Sequence, residues 1–341
     1  MRIGVIGTGR IGSVHASNLA ALDGIDVVVA DADRSRAEAL ASRIGVDHEP
    51  TVDALLTAGL DGVVVATDTA AHAPLVTAAA DAGLPILCEK PISLDLKVTD
   101  QVLRHIVETG VQLDVGLQRR HDPAFAEARQ RVVEGRLGQL YVVRSSGHDA
   151  QPPPAAYIPT SGGLFVDLHI HDFDIVRWVT GQEVEEVYAD GSVLVDPMFA
   201  RYDDVDTSAA LLRLSGGTLA ITSGGRRDAL GYDHRMEVIG SDDSISIGLG
   251  PRTPLHALDD AATVGGVGAA PWTGFVDRFA EAYRAEVEHF VAVAAGQAEP
   301  RCPGEDSRRS LVVAIAAEQA RRLRRPVRIS EVDATTQAAT R

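Results

Sequence analysis

The chain has 341 residues, is 45% hydrophobic and carries a formal net charge of −16, which suits about two domains with sizeable cores. The acidic balance excludes a nucleic acid or an anionic membrane surface as partner, because binding phosphates needs a basic face. The one basic run, Arg321-Arg322-Leu323-Arg324-Arg325 before Pro326, reads as charge complementing the end of a helix.

Residues 2–7 form a short apolar strand pattern that ends in Gly7-Thr8-Gly9-Arg10-Ile11-Gly12, after which Val14, Leu19 and Leu22 recur at helical spacing. Strand, glycine turn and helix in that order suit a dinucleotide. The glycines allow a tight turn and close approach to a pyrophosphate, and the helix N-terminus offers free N–H groups. A second strand, 26–30, closes on Asp31, the position from which an acidic side chain meets the adenosine ribose. A carboxylate accepts from a 2′-hydroxyl and repels a 2′-phosphate, so NAD is expected, with NADP as the weaker alternative through Arg34.

Helices are expected over 34–44, 52–58, 73–82 and 94–109, and strands over 62–66, 85–88 and 112–117. This alternation predicts a parallel, doubly wound Rossmann sheet for residues 1–120. Ligands of such sheets lie outside the carboxyl ends of the strands. Those ends carry Gly7, Gly9, Arg10, Ile11, Gly12, Asp31, Thr67, His72, Glu89 and Lys90. Lys90 and Lys97 are the chain's two lysines; a compact amine with a tunable pKa suits proton chemistry beside a reacting hydroxyl, which an arginine does not.

Residues 121–330 predict an α+β domain with an open, mainly antiparallel sheet. Strand patterns cover 140–145, 184–195, 208–214, 218–223, 235–240 and 244–247, with a hairpin at Ser215-Gly216-Gly217. A second copy of the chain would cover the sheet's other face. One helix from Leu164 to Val179, stopped at Gly181, presents Asp167, His171 and Asp174 within about 60° of arc. An Asp four residues before a His fixes the imidazole tautomer and raises its basicity, as a base for a hydroxyl proton requires; a surface ion pair is the alternative.

No metal is expected. His169 and His171 diverge by about 200° on a helix, and Cys88 and Cys302 have neither metal-ligand spacing nor a disulfide framework. With no signal segment and no apolar run of about 18 residues, the expected compartment is the cytoplasm. Residues 251–270 and the tail 331–341 are expected to be flexible.

These motifs together resemble the Gfo/Idh/MocA oxidoreductases over nearly the whole chain. The carriers are Gly7 to Gly12, Thr67 to His72, Glu89-Lys90-Pro91, Gly116-Leu117-Gln118-Arg119-Arg120 and Asp167-x-x-x-His171. Arg119 to Pro123, Pro152-Pro153-Pro154, Ser161 to Phe165 and Ile170 to Asp174 are similar to the inositol dehydrogenases within that family. The resemblance implies catalysis by Lys90, Asp167 and His171, a polyol bound near Arg120, His148, Asp174, Tyr232, Trp272 and Tyr283, and a homotetramer.

The implied reaction is NAD-dependent oxidation of a cyclic polyol, myo-inositol to 2-keto-inositol. Gln118, His121 and Val166 depart from the usual pattern, which keeps another inositol isomer or an aldose open as substrate. A non-catalytic dinucleotide-binding sensor is the alternative of another class.

Overall fold

The computed structural model describes residues 1–258 and 269–338, in two compact units comprising 1–121 with 281–308, and 122–280 with the residues from 309 onward. The first unit begins with β1 (Arg2–Ile6), α1 (Arg10–Ala20), β2 (Asp26–Ala30), α2 (Arg34–Ile44), β3 (Asp47–His48) and α3 (Val52–Leu56). It continues through β4 (Gly62–Val65), α4 (Thr69–Asp81), β5 (Ile86–Glu89), α5 (Leu96–Thr109) and β6 (Leu113–Gly116). The strands form one sheet in the order β3-β2-β1-β4-β5-β6, every pair parallel.

Helices cover both faces of that sheet, so its central strands are apolar without alternation. Val63, Val64 and Val65 are all fully buried. Ile6, Val63 and Val65 belong to one core cluster, and Ile3, Val5 and Val64 to the other. The sequence of β4 therefore reads as a continuous valine run, as predicted.

The second unit contains α6 (Pro123–Val133), β7 (Leu140–His148), α7 (Ile158–Ser161), α8 (Gly163–Asp167), α9 (Ile170–Thr180), β8 (Val184–Ser192), β9 (Thr207–Leu214), β10 (Leu219–Gly225), β11 (Asp233–Gly240), β12 (Ser244–Ile247) and α10 (Phe275–Arg278). Then come α11 (Ala280–Ala294), which apart from its first residue lies in the first unit, α12 (Gly304–Leu323), β13 (Val327–Arg328) and α13 (Ile329–Ala338). The second sheet runs β12-β11-β7-β10-β9-β8-β13. It is antiparallel except for β10 beside β7. Along β9 burial alternates residue by residue, the mark of a sheet with one covered face. On the other face Tyr188, Leu211 and Ile221 stand in register across β8, β9 and β10, and all three are exposed.

Three expectations change. The second domain is not continuous from 121 to 330, because residues 281–308 return to the first unit. Val287 and Phe290 of α11 join the core of Ile3 and Val5, and a Cβ on Gly62 would lie 3.2 Å from Phe290 Cζ. The tail expected to be flexible from 331 continues α13 to Ala338, with Arg325 and the backbone N–H of Arg328 both bound to the Glu331 carboxylate. The helix expected over 164–179 is interrupted at Leu168-His169, where the His169 N–H reaches back five residues to Leu164 O. Of the expected mobile stretch 251–270, residues 259–268 lie outside the described residues. No helix among the described residues is long and apolar enough to cross a membrane.

Candidate active site

The glycine loop between β1 and α1 is shaped by contact. Gly7 has φ +93° and a Cβ there would sit 2.5 Å from Ala66 O, while one on Gly12 would sit 2.0 Å from Gly7 O. At Gly9, by contrast, a Cβ would meet nothing within 4 Å, so that peptide faces open space at the start of α1. Gly9 is the N-cap and has no side chain to cap the first turn, and N–H groups at a helix start suit phosphate oxygens. Arg10 and Ile11 open the helix at this point.

Asp31 follows β2 and is bound to the loop itself. Its Oδ2 accepts from Thr8 N at 2.7 Å and Thr8 Oγ1 at 2.8 Å, and its Oδ1 accepts from Asp33 N at 2.9 Å. Each carboxylate oxygen has two lone pairs, so capacity remains for ribose hydroxyls. Arg34, the route to the weaker NADP alternative, donates from Nε to Glu38 at 2.7 Å. The loop, the uncapped helix and the acidic β2 end fit an NAD molecule.

At the end of β5, Glu89 holds two partners. Its Oε1 lies 2.8 Å from His15 Nε2, and its Oε2 accepts from Lys90 N at 3.3 Å. Gly116 on β6 is needed beside it, since a Cβ there would lie 3.1 Å from Glu89 Cδ. Lys90 is half-buried at this strand end. His72 ties the neighbouring loop down, with Nδ1 2.8 Å from Pro91 O and Nε2 3.0 Å from Thr67 O. Buried as it is, His72 holds the loop's main chain in shape.

Behind Glu89 lies a group the sequence did not reveal. Among the described residues, His15, Glu89 and Glu286 bring side-chain ligand atoms within 4.8 Å of one another. Both carboxyl oxygens of Glu286 are buried without a hydrogen-bond partner. Burial pushes the Glu286 pKa well up, and the charges of Glu89 and Asp114 push it further; a proton on Glu286 is the simplest neutralisation. Tyr283, one turn earlier on α11, meets the His15 ring edge-on at 5.9 Å, so it stands within the first unit beside α1.

Arg120 is also committed within the first unit. Its Nη1 donates to Arg301 O at 2.9 Å and to Asp306 Oδ2 at 3.0 Å. The adjacent His121 is held neutral, its pKa lowered to about 2 by burial and then by Arg301, His289 and Arg120.

In the second unit Asp167 ends α8, with both oxygens engaged. Tyr157 OH donates to Oδ1 at 2.8 Å and Arg226 Nη1 lies 2.8 Å from Oδ2. His171 stands in the first turn of α9, half-buried. Its neighbour His169 is wholly buried, with Nδ1 2.9 Å from Asp172 and Nε2 2.7 Å from Ser208, stacked between Phe165 and Phe173. The two histidines are thus divided between the interior and the open side of the helix pair.

Register gathers several expected substrate residues at one end of this sheet. His148 pairs with Gly225 and with Asp233, which sets it beside Arg226 and Tyr232. Burial lowers the His148 pKa, opposed by Asp233, Asp228 and Asp172. Tyr232 is buried with its ring 4.3 Å from that of His234. Trp272 carries the guanidinium carbons of Arg278 and Arg252 at 4.9 and 5.3 Å from its ring centroid. Asp174 lies about one turn beyond His171 on α9 and accepts from Ser310 Oγ at 3.0 Å. Tyr157, Arg226, His15 and Glu286 were not singled out from sequence; nothing in their local pattern marks them.

Comparison with known proteins supplies the family. Residues 1–117 match the model of an oxidoreductase family with an NAD-binding Rossmann fold, and residues 125–246 match a GFO/IDH/MocA C-terminal domain. The chain is 42% identical over 324 residues to myo-inositol dehydrogenase Hyg17 of Streptomyces leeuwenhoekii, covering 94% of this chain and 97% of that one. A crystal structure of a myo-inositol dehydrogenase from Corynebacterium glutamicum superposes with a TM-score of 0.87 at 31% identity, over 96% of this chain and 98% of that one. The scyllo-inositol dehydrogenase of Lactobacillus casei, solved with NAD(H) and scyllo-inositol, gives 0.85 at 27% identity over 97% and 99%. With its glycine loop, its Glu89-Lys90 corner and relatives matched along nearly their full length, the chain belongs to the Gfo/Idh/MocA family of NAD-binding oxidoreductases.

Proposed function

We propose that the protein oxidises a ring hydroxyl of a cyclic polyol with NAD, converting myo-inositol to 2-keto-inositol. The observation that carries the reading is Asp167, gripped at both oxygens four residues before His171. A relative of nearly equal length, named a myo-inositol dehydrogenase, supports the substrate.

NAD supplies the hydride acceptor. Gly7 to Gly12 and Asp31 would hold it, with Arg10, Ile11, Thr67 and His72 in the loops that would border it. His171 takes the hydroxyl proton, while Asp167 fixes the imidazole tautomer and balances the imidazolium charge. Lys90 is the donor that stabilises the developing alkoxide. The carbon gives up its hydrogen with both bonding electrons, the proton stays on His171 and a C=O bond forms, so charge and electrons balance.

His148 and Tyr232 are the polyol contacts in this reading; a neutral imidazole offers the ring hydroxyls one donor and one acceptor. Arg120, Asp174, Trp272 and Tyr283 are the remaining expected polyol contacts, and each is engaged with another partner. A cytoplasmic homotetramer completes the proposal. The exposed row of Tyr188, Leu211 and Ile221 supports a second copy on the open sheet face, and two buried free thiols suit a reducing compartment.

The test is NADH formation with myo-, scyllo- and chiro-inositol and a set of aldoses, using NAD and NADP in parallel. The highest kcat/KM is expected for myo-inositol with NAD. A higher value for another polyol would keep the chemistry and reassign the substrate. NAD binding with no turnover of any polyol would sink the dehydrogenase reading.

A further inference from the structure

Asp167 is not a solvated carboxylate that happens to precede a histidine. Arg226, just past the end of β10, is a buried arginine whose Nη1 lies 2.8 Å from Asp167 Oδ2 and 3.3 Å from Asp149 Oδ2. Its main chain is pinned as well, Arg226 N donating to Asp206 O at 2.8 Å. Asp204, which caps α8 by accepting from Leu164 N at 2.9 Å, adds a third negative charge to its surroundings. One guanidinium thus contacts two carboxylates in the field of a third, and the shorter contact goes to Asp167.

We propose that Arg226 is a positioning residue for the reaction, holding Asp167 as an oriented carboxylate for His171. The inference rests on the catalytic reading of Asp167 and His171 given above. A planar guanidinium fixes a carboxylate's direction as well as its charge, and Tyr157 OH on the other oxygen removes the remaining rotation.

The consequence for the chemistry is specific. An Asp that orients an imidazole must not itself take the proton, or the imidazolium loses its counter-charge. Tyr157 from α7, Arg226 from the end of β10, Asp149 beyond β7, Asp204 before β9 and His171 on α9 are the groups that bear on its ionisation. Asp149 and Asp204 favour a protonated Asp167; Arg226 and the Tyr157 hydrogen bond oppose them.

The experiment compares Arg226→Gln, Arg226→Lys and Tyr157→Phe with Asp167→Asn and His171→Ala, in the full-length protein. It measures the pH dependence of kcat, KM for the polyol, NAD binding by fluorescence and the melting temperature. An adjacent arginine lowers an aspartate pKa by about one to three units. The acid limb of kcat in Arg226→Gln is therefore expected to move up, because losing the nearby cation lets Asp167 and the His171 imidazole hold a proton to higher pH, with KM little changed. Arg226→Lys keeps the charge but not the planar donor group that reaches Asp167 through Nη1, so kcat falls while the limb stays. Added guanidinium ion restores part of the Gln variant's turnover.

An unmoved acid limb in a folded, NAD-binding Arg226→Gln protein overturns the proposal. If the Gln variant does not fold, the Lys variant decides it, and a wild-type kcat there overturns it. Wild-type turnover in Asp167→Asn and His171→Ala would instead overturn the catalytic reading itself. Loss of turnover in those two with a wild-type profile in the Arg226 variants would overturn only the role of Arg226.

Discussion

Glu89 Oε1 lies 2.8 Å from Nε2 of His15, so the carboxylate that precedes Lys90 is anchored to the helix that follows the glycine loop. The anchor joins the end of β5 to α1, and it fixes the main chain from which Lys90 projects. The corner is preorganised, as electrostatic stabilisation of an alkoxide requires.

In the proposed reaction Lys90 is the donor to that alkoxide, and replacing it by alanine leaves the His15–Glu89 anchor in place. We expect kcat to fall by about 10²–10⁴-fold with NAD affinity little changed, as measured by steady-state kinetics and fluorescence titration. A variant with wild-type kcat would take Lys90 out of the chemistry.

Asp31 is expected to set the cofactor preference. Asp31→Ala removes a charged acceptor for the ribose and both anchors on Thr8, so NAD affinity should drop by about 10- to 100-fold. The ratio of kcat/KM for NADP over NAD should rise. With Arg34 paired to Glu38, Arg34→Ala alone should leave that ratio nearly unchanged.

Two buried groups make opposite contributions to stability against pH. Glu286 has a raised folded-state pKa, so its stabilisation is complete below the ordinary value of 4.5 and is lost as pH rises through the folded value. Glu286→Gln, neutral throughout, should raise the melting temperature more at about pH 8 than at about pH 5. His121 runs the other way. Its pKa falls from 6.5 to about 2 in the fold, so stability is lost as pH drops below 6.5, and His121→Gln should weaken that loss. Melting curves across pH test both; a Glu286→Gln protein that loses stability equally at every pH would argue for a bound cation rather than a proton.

The open sheet face gives an association prediction. Leu211 and Ile221 are exposed and paired in register, so Leu211→Glu or Ile221→Arg puts charge into the middle of any interface built on them. Light scattering should show a smaller species than the wild type, with the monomer fold intact by circular dichroism. An unchanged mass would move the interface elsewhere.

Local pattern was enough for the parallel sheet, the glycine loop, Asp31 and the Glu89-Lys90 strand end. Burial on both faces imposes valine runs, and a phosphate turn needs glycine at fixed spacing, so each leaves a mark within a few residues. The same holds for the hairpin between β9 and β10.

What only the tertiary structure decided are the pairings between distant segments. The grip of Arg226 on Asp167, the return of Val287 and Phe290 to the first core, the meeting of His15, Glu89 and Glu286, and the break at Leu168-His169 all depend on which strands lie side by side. An arginine that will be buried among three aspartates looks, in one dimension, like any surface arginine. Sequence periodicity reports which face of an element is covered; the partner that covers it is chosen by sheet order and register, where side chains far apart along the chain compete for the same space.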